Sequence, residues 1–332
     1  GPEYRRSAPH TESHLMFSTT AQLPDSPTYQ VIHDTLSRVL PLVNALSEPG
    51  PGWTRPSYSD LESQAHAVIE AEALALGLSV TRDAAGNLFA RMAGRDRTAA
   101  SLYMGSHLDT VSQGGAYDGQ AGVIGALAII AALRAADITP QSDIVLVITR
   151  AEESVWFPVS YAGSRAALGR LQAEDFDAPR ADTGRSLADH MTEQGYDPDA
   201  VRRLIPPAPA RFLEFHIEQG PVLFDAGEAY AVVKAVRGGL RYRAAEVHGV
   251  WAHSGAAPRI GRADAIVALA ELIVAMNAVW DRMLAEGADL TVTFGKVDAA
   301  SAAHAMAKVA GHAEFCLDMR SDDLVTLDAA NA

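Results

Sequence analysis

Cysteine is almost absent from this chain of 332 residues, which contains only Cys316. A single cysteine excludes an internal disulfide, and its scarcity favours a reducing compartment, so we expect a cytoplasmic protein. The sequence also lacks an apolar, charge-free run of about 18 residues or more, and it therefore predicts no membrane span. The opening residues contain basic side chains but no apolar segment, so they do not resemble a secretory signal.

Basic residues are also scarce relative to acidic ones. The chain has 27 Lys and Arg against 41 Asp and Glu, which gives a formal net charge of −14. This balance argues against nucleic acid or an anionic membrane as the main partner. Hydrophobic residues make up 48% and charged residues 20% of the chain. Such a composition predicts an ordered globular protein, and the length leaves room for two domains.

The hydrophobic pattern of the first two thirds alternates between helical and extended periods. Helical spacing covers residues 29–46 and 60–76, and two short strands across a turn are predicted at 78–81 and 87–92. An apolar run at 101–104, a helix at 120–136 and a β-branched run at 143–148 then form a strand–helix–strand pattern. This pattern predicts an α/β domain with a mostly parallel sheet, whose chemistry lies at the carboxyl ends of the strands.

Candidate catalytic residues follow the first of these parallel strands. His107 and Asp109 are two residues apart, so on an extended segment their side chains point to the same face. Asp109 could then hold one imidazole nitrogen while the other faces a metal ion. Asp118, immediately before the helix, is a candidate oxygen ligand or bridge. The alternative is a histidine with no metal, beside ordinary loop acids.

A second group of candidates follows the β-branched strand. Glu152 and Glu153 are adjacent, so their carboxylates cannot both face one side of an extended chain, and one could bind a metal while the other accepts a proton. The alternative is a solvated acidic loop. His216 lies in a further predicted strand, 212–217. Two imidazoles and two carboxylates at strand ends favour Zn²⁺ or a similar transition metal.

The pattern changes near residue 227, which predicts a first domain at 17–226 and a second, smaller α+β domain at 227–332. Two strands are predicted within 230–248, on either side of two glycines, followed by a helix and further strands at 264–283, 290–294 and 313–319. His253 and His304 lie between these strands. Arg320 ends the last one and could bind a substrate carboxylate through its two-pronged guanidinium, unless it is simply a surface arginine.

Several short motifs resemble those of the hydantoinase/carbamoylase-type metal-dependent amidases. The motifs are GSHLDTV with YDG, AEES with GSR, HIEQGPVL, AHSG and LDMRS, in that order and with compatible spacing. That family includes N-carbamoyl-L-amino-acid amidohydrolases, β-ureidopropionases and allantoate amidohydrolases, and it is related to dinuclear zinc aminoacylases and aminopeptidases. The resemblance implies an α/β catalytic domain with a mostly parallel sheet and an inserted α+β domain that acts as lid and dimerisation surface.

The resemblance also implies roles for the candidate residues. Glu152 would be the general base and Asp109 the residue that orients His107. The metal ligands would be His107, Asp118, Glu153 and His216, and the substrate would contact Gln219, His253, Arg320 and His304. His304 enters this set because Ala307 stands near the position where the family commonly has asparagine. The implied cofactor is two Zn²⁺ ions, with Mn, Co or Ni as alternatives.

The implied function is hydrolysis of an amide or ureido C–N bond in an N-carbamoyl amino acid or related ureido acid. The implied partners are this small anionic substrate and a second copy of the chain. An aminoacylase or peptidase, or a non-catalytic binding protein with the same fold, are the alternatives. The family continues for several tens of residues and supplies a last histidine ligand there. Because the sequence stops at Ala332, we expect the second domain to be incomplete and that ligand to be missing from it.

Overall fold

The computed structural model of this protein describes residues 26–203, 210–300 and 303–332. Its internal contacts divide the chain into two compact units, with the division between Pro221 and Val222. Each unit has its own apolar core. The first nine residues of the predicted first domain, 17–25, lie outside the described residues.

Two helices open the first unit, and a serine caps each of them. Ser26 accepts a hydrogen bond from the backbone of Tyr29, and Ser59 accepts one from the backbone of Glu62, as expected for N-cap residues. The helices are α1 (Pro27–Asn44) and α2 (Asp60–Ala75). The first two helices predicted from the sequence are therefore confirmed, with ends that differ by at most two residues.

The first unit contains a mixed sheet of five strands. The strands are β1 (Ser79–Arg82), β2 (Leu88–Met92), β3 (Leu102–His107), β4 (Ile144–Thr149) and β5 (Arg211–Leu213), in the spatial order β1-β2-β4-β3-β5. The pairs β3/β4 and β3/β5 are parallel, whereas β1/β2 and β2/β4 are antiparallel. The predicted α/β class with parallel strands is confirmed. The antiparallel pairs lie toward the edge of the sheet that β1 forms.

Helix α3 (Gln120–Ala135) connects β3 to β4 and packs against the sheet. The apolar residues of β4 from Ile144 to Ile148 are buried, and so are most residues of α3. In the parallel register His107 pairs with Thr149, so β3 and β4 end at the same edge. The smaller helices of this unit are α4 (Ala162–Ala167), a 3₁₀ helix (Ala173–Asp177), α5 (Leu187–Glu193) and α6 (Pro198–Arg202).

The predicted strand at 212–217 is shorter than its sequence pattern indicated. β5 ends at Leu213, and it pairs with β3 only over Leu102–Met104. Beyond it, Glu214 accepts a hydrogen bond from the hydroxyl of Ser106. The backbone carbonyl of Phe215 lies so close to Gly122 of α3 that a Cβ there would be 2.5 Å from its oxygen. β5 thus ends three residues before His216, which lies outside the strand in which it was predicted.

The second unit packs helices against a three-stranded antiparallel sheet. Its elements are α7 (Val222–Ala226), β6 (Gly238–His248), β7 (Ala252–His253), α8 (Ala265–Ala285), β8 (Thr291–Asp298), β9 (Lys308–Val309), β10 (His312–Ser321) and α9 (Leu324–Asn331). The sheet order is β6-β10-β8, and β7 pairs with β9. α8 buries Ala265, Leu269 and Met283 in the core of this unit.

Only one of the two strands predicted within 230–248 is present. Gly238 and Gly239 do not separate two strands, because they pair with Ser321 and Arg320 as the first residues of β6. Residues 230–237 are mostly apolar, but they are exposed and belong to no strand of the structure. An apolar run forms a strand only where a neighbouring strand pairs with its backbone hydrogen-bonding groups.

None of the helices in the described part of the chain combines the length and the apolar character that a membrane crossing requires.

The glycines of the β3–α3 segment give opposite predictions for alanine substitution. Gly105 has φ +151°, and a Cβ there would lie 1.9 Å from the carbonyl oxygen of Val147 in β4. We expect Gly105→Ala to lower the free energy of unfolding by about 2–5 kcal/mol. Gly125 lies inside α3, and a Cβ there would be 4.0 Å from Cδ2 of Phe215, which is ordinary van der Waals contact. Gly125→Ala should raise that free energy by up to about 1 kcal/mol, because alanine is the better helix former.

Urea unfolding followed by circular dichroism measures both variants against the parent chain. Equal losses of stability in the two variants would contradict this account of the β3–β4 contact.

Candidate metal centre

His107 is the last residue of β3, and its side chain is only 3% exposed. The loop that enters α3 passes directly over the imidazole at Gly119. This glycine has φ +66°, and a Cβ at this position would lie 2.5 Å from Cε1 of His107. A side chain at residue 119 would therefore displace the ring, and glycine also tolerates the left-handed backbone. The close approach brings Asp118, the preceding residue, to the same edge of the sheet.

A single buried carboxylate, that of Asp109, contacts the other groups of the centre. Its oxygens accept hydrogen bonds from the backbone amides of Glu152 (3.1 Å) and Glu153 (3.0 Å) and from the hydroxyl of Ser57 (2.5 Å). Its Oδ1 also lies 3.3 Å from Nδ1 of His107, which in turn lies 2.9 Å from the Asp109 carbonyl oxygen. Asp109 thus contacts the Nδ1 side of the His107 ring and the backbone amides of both glutamates.

The second imidazole nitrogen of His107 faces the glutamate pair. Its Nε2 lies 3.7 Å from Oε2 of Glu152. One donor atom from each of His107, Glu152 and Glu153 lies within 4.8 Å of the other two. An imidazole nitrogen with carboxylate oxygens is a donor set that suits Zn²⁺ and related metals. The side chains of this cluster therefore fit a divalent metal ion.

Electrostatic interactions within the cluster shift the pKa values of its members. Burial alone would lower the pKa of His107, but the contact with Asp109 and the charges of Glu152 and Glu153 raise it to about 10. Burial raises the pKa of Glu153 to about 7; His107 opposes this shift, and the charges of Asp109, Glu152 and Asp118 add to it. Such a concentration of partly buried acidic groups attracts a cation.

Two of these carboxylates are shifted in opposite directions. The pKa of Glu152 is raised, chiefly by burial, with the charges of Asp109, Asp118 and Glu214 adding to it. The pKa of Asp109 is lowered, because the contacts with His107, Ser57 and the Glu153 amide outweigh the effect of burial. Asp109 is therefore held in its charged form, whereas Glu152 is a more basic carboxylate than an ordinary glutamate.

The remaining predicted residues of the first unit form a second, adjoining set. Oδ1 of Asp118 lies 3.4 Å from Nε2 of His216, and Oδ2 of Asp118 accepts a 2.6 Å hydrogen bond from the amide of Gln219. The charge of Asp118 also raises the pKa of both Glu152 and Glu153, so the two sets interact electrostatically. The predicted ligands thus lie in two groups, His107 with Glu153 and Asp118 with His216.

The predicted substrate residues of the second unit have partners within that unit. Nδ1 of His253 accepts a 3.2 Å hydrogen bond from the backbone of Gly255. Nε2 of His304 lies 3.1 Å from the carbonyl oxygen of His312, and its ring packs edge-on against Trp251. These contacts fix the two histidines within the unit.

Arg320 is the third of these residues, and its side chain is 49% exposed. Its Nε and Nη2 each lie 2.7 Å from Oδ2 of Asp318, two residues earlier on β10. One edge of the guanidinium therefore contacts the protein.

Sequence reasoning missed Ser57, Glu62 and Glu214. Glu62 is fully buried and accepts hydrogen bonds from the backbone of Ala151 and from the guanidinium of Arg150. Glu62 lies three residues after Ser59, a spacing typical of a helix capping box. The sequence therefore gave no reason to expect a buried acceptor for Ala151 and Arg150 at this position. Glu214 had a signal, because it is an acidic residue inside an apolar run, two residues before His216.

Comparisons with known proteins identify the wider family. The profile of peptidase family M20/M25/M40 matches residues 103–319, which is more than half of the chain. An N-carbamoyl-L-amino acid amidohydrolase from Geobacillus stearothermophilus is 33% identical over 238 residues, which are 71% of this chain and 58% of that protein. An allantoate amidohydrolase from Bacillus subtilis (strain 168) is 29% identical over 269 residues, which are 81% of this chain and 64% of that protein.

A similar fold is found among solved structures. The crystal structure of a hydantoinase/carbamoylase family amidase from Burkholderia ambifaria superposes with a TM-score of 0.74 and 29% sequence identity, covering 90% of this chain and 72% of that one. The chain thus spans only part of the length of these relatives. The resemblance to hydantoinase/carbamoylase-type amidases inferred from the motifs is confirmed. By the extent of the profile match, the chain belongs to peptidase family M20/M25/M40.

Proposed function

We propose that this chain carries the catalytic centre of a metal-dependent amidohydrolase. Its substrate would be an N-carbamoyl amino acid or a related ureido acid, cleaved at an amide or ureido C–N bond. The observation that carries the proposal is the convergence of His107, Glu152 and Glu153, with donor atoms within 4.8 Å, at the carboxyl ends of β3 and β4. The names of the similar amidohydrolases support the substrate class.

The residues that would hold metal are those of the two adjoining sets. His107 and His216 would bind metal, Glu153 would bind the second of two Zn²⁺ ions, and Asp118 would bind both. The acidic surroundings that raise the pKa of His107 favour a cation at this position. When bound, the metal would polarise the substrate carbonyl and make water a nucleophile at neutral pH.

Glu152 is proposed as the general base. Burial raises its pKa, and a base works best when its pKa lies near the working pH. The carboxylate would take a proton from the attacking water and then deliver it to the leaving nitrogen. Asp109 would keep the base in place, because its Oδ1 holds the Glu152 backbone amide at 3.1 Å.

Arg320 is proposed to bind the carboxylate of the substrate, with Gln219, His253 and His304 as further contacts. A guanidinium has five N–H donors. The contact with Asp318 uses the edge formed by Nε and Nη2, so the other donors of Arg320 can serve a ligand. An anionic substrate would explain why an arginine stands at this position of β10. Assembly as a homodimer through the second unit and a cytoplasmic location remain predictions.

Glu152→Gln in the full protein tests the catalytic proposal. Glutamine has nearly the same shape but cannot accept the proton, so we expect turnover to fall by about 10²–10⁴-fold while metal content and fold are retained. Hydrolysis of an N-carbamoyl amino acid and metal analysis of the same sample measure both properties. Glu153→Gln is the matched variant, and it should lose metal as well as activity.

Two outcomes would contradict this assignment. If Glu152→Gln loses metal together with activity, while Glu153→Gln loses activity and keeps metal, Glu152 is a ligand and the roles of the two glutamates are reversed. If the parent protein cleaves a dipeptide or N-acetyl derivative of the same amino acid faster than the N-carbamoyl compound, the substrate class is wrong.

Arg320→Lys tests how the substrate is held. Lysine keeps the charge but cannot form two parallel hydrogen bonds to a carboxylate. We expect KM to rise for carboxylate-bearing substrates, with a loss in kcat/KM worth about 1.5–3 kcal/mol, the range for a hydrogen bond to a charged group. A neutral amide analogue should respond little. Equal losses on both substrates would show that Arg320 supports the fold through Asp318 instead.

A further inference from the structure

Two histidines face each other across neighbouring strands of the second unit. His248 ends β6, His312 begins β10, and the register pairs them directly. The next pair is hydrogen-bonded, because the amide of Gly249 donates to the carbonyl of Gly311 at 2.9 Å. Antiparallel pairs alternate, so His248 and His312 form a non-hydrogen-bonded pair, in which side chains lie closest. Their ring centroids are 5.5 Å apart.

A carboxylate completes the group on the same face of the sheet. Glu246 is two residues before His248 on β6, so both side chains point to one side. Its Oε2 lies 2.9 Å from Nε2 of His248 and 3.8 Å from Nε2 of His312. One donor atom from each of these three residues lies within 4.8 Å of the other two.

The charges nearby favour a cation at this position. Glu314 pairs with Glu246 on one side and with Asp298 on the other, so three carboxylates lie in a row across the sheet. Like charges placed opposite each other destabilise a sheet. The ammonium of Lys296 lies 3.6 Å from Glu314 and 3.7 Å from Asp298 and offsets two of them. Glu246 lies instead against the two imidazoles, where a metal ion would offset its charge.

We propose that Glu246, His248 and His312 form a binding site for one divalent transition-metal ion. Two imidazoles and a carboxylate suit Zn²⁺, and also Ni²⁺ or Cu²⁺, with a fourth position for water. Mg²⁺ and Ca²⁺ prefer sites built from oxygen. The side chains of His248 and Glu246 are 71% and 49% exposed, so they can rotate to bring the donors together. A bound ion would join β6, an edge strand, to the central strand β10.

Zinc titration of the full chain, stripped of metal and in competition with a coloured chelator, tests this site. We expect His248→Ala and His312→Ala each to lower the zinc affinity of one class of site by more than about 10-fold. Removing a residue that only hydrogen-bonds to a metal ligand already lowers metal affinity by about 10–100-fold. Glu246→Gln should weaken the same class. His33→Ala is the matched control, because this exposed histidine of α1 lies outside the cluster and should leave the titration unchanged.

Histidine-selective NMR gives a second readout that does not depend on activity. The ring signals of His248 and His312 should shift together when zinc is added to the parent chain. Addition of Mg²⁺ should not produce this shift, and zinc should not produce it for His312 in the His248→Ala variant. The proposal is overturned if the parent chain and His248→Ala bind the same number of zinc ions with the same affinities. It is also overturned if millimolar Mg²⁺ displaces the zinc. Because His248 is largely exposed, its variant keeps the test valid even if His312→Ala fails to fold.

Discussion

The buried carboxylate of Asp109 is the interaction on which the candidate metal centre depends. Burying a charge is costly unless hydrogen bonds and opposite charge compensate for it. Here the hydroxyl of Ser57, the backbone amides of Glu152 and Glu153, and the imidazole of His107 supply that compensation. These partners come from the ends of two parallel strands and from the loop before α2. One charged group therefore contacts residues from three separate parts of the chain and holds them together.

A second buried pair supports the segment that leads from β4 to Glu152 and Glu153. Glu62 and Arg150 form an ion pair at 2.9 Å, and both side chains are at most 1% exposed. Glu62 also accepts a hydrogen bond from the backbone of Ala151, which has φ +48°. A left-handed alanine is strained, and it persists only where its surroundings hold it. With Asn87 accepting from the Arg150 amide, the residues before the glutamate pair are fixed by side chains from distant parts of the sequence.

The sequence predicted those features that follow from local periodicity and from parallel strands ending at one edge. The β3–α3–β4 unit and the meeting of His107 with the glutamate pair both follow from these rules. What it could not predict depends on long-range contacts. β5 ends before His216 and Phe215 then packs against Gly122, and no local pattern indicates either feature. Glu62 was hidden because its spacing from Ser59 already has a local explanation as a helix cap.

The central claim is that His107 and the adjoining carboxylates hold a metal ion. A crystal structure of the zinc-loaded protein, with diffraction recorded on both sides of the zinc absorption edge, tests it most directly. The account predicts an anomalous peak within about 2.0–2.2 Å of Nε2 of His107, and one at the same distance from a carboxylate oxygen of Glu153, the usual zinc–ligand distances. An absence of anomalous density beside His107, in crystals that hold zinc elsewhere, would contradict it.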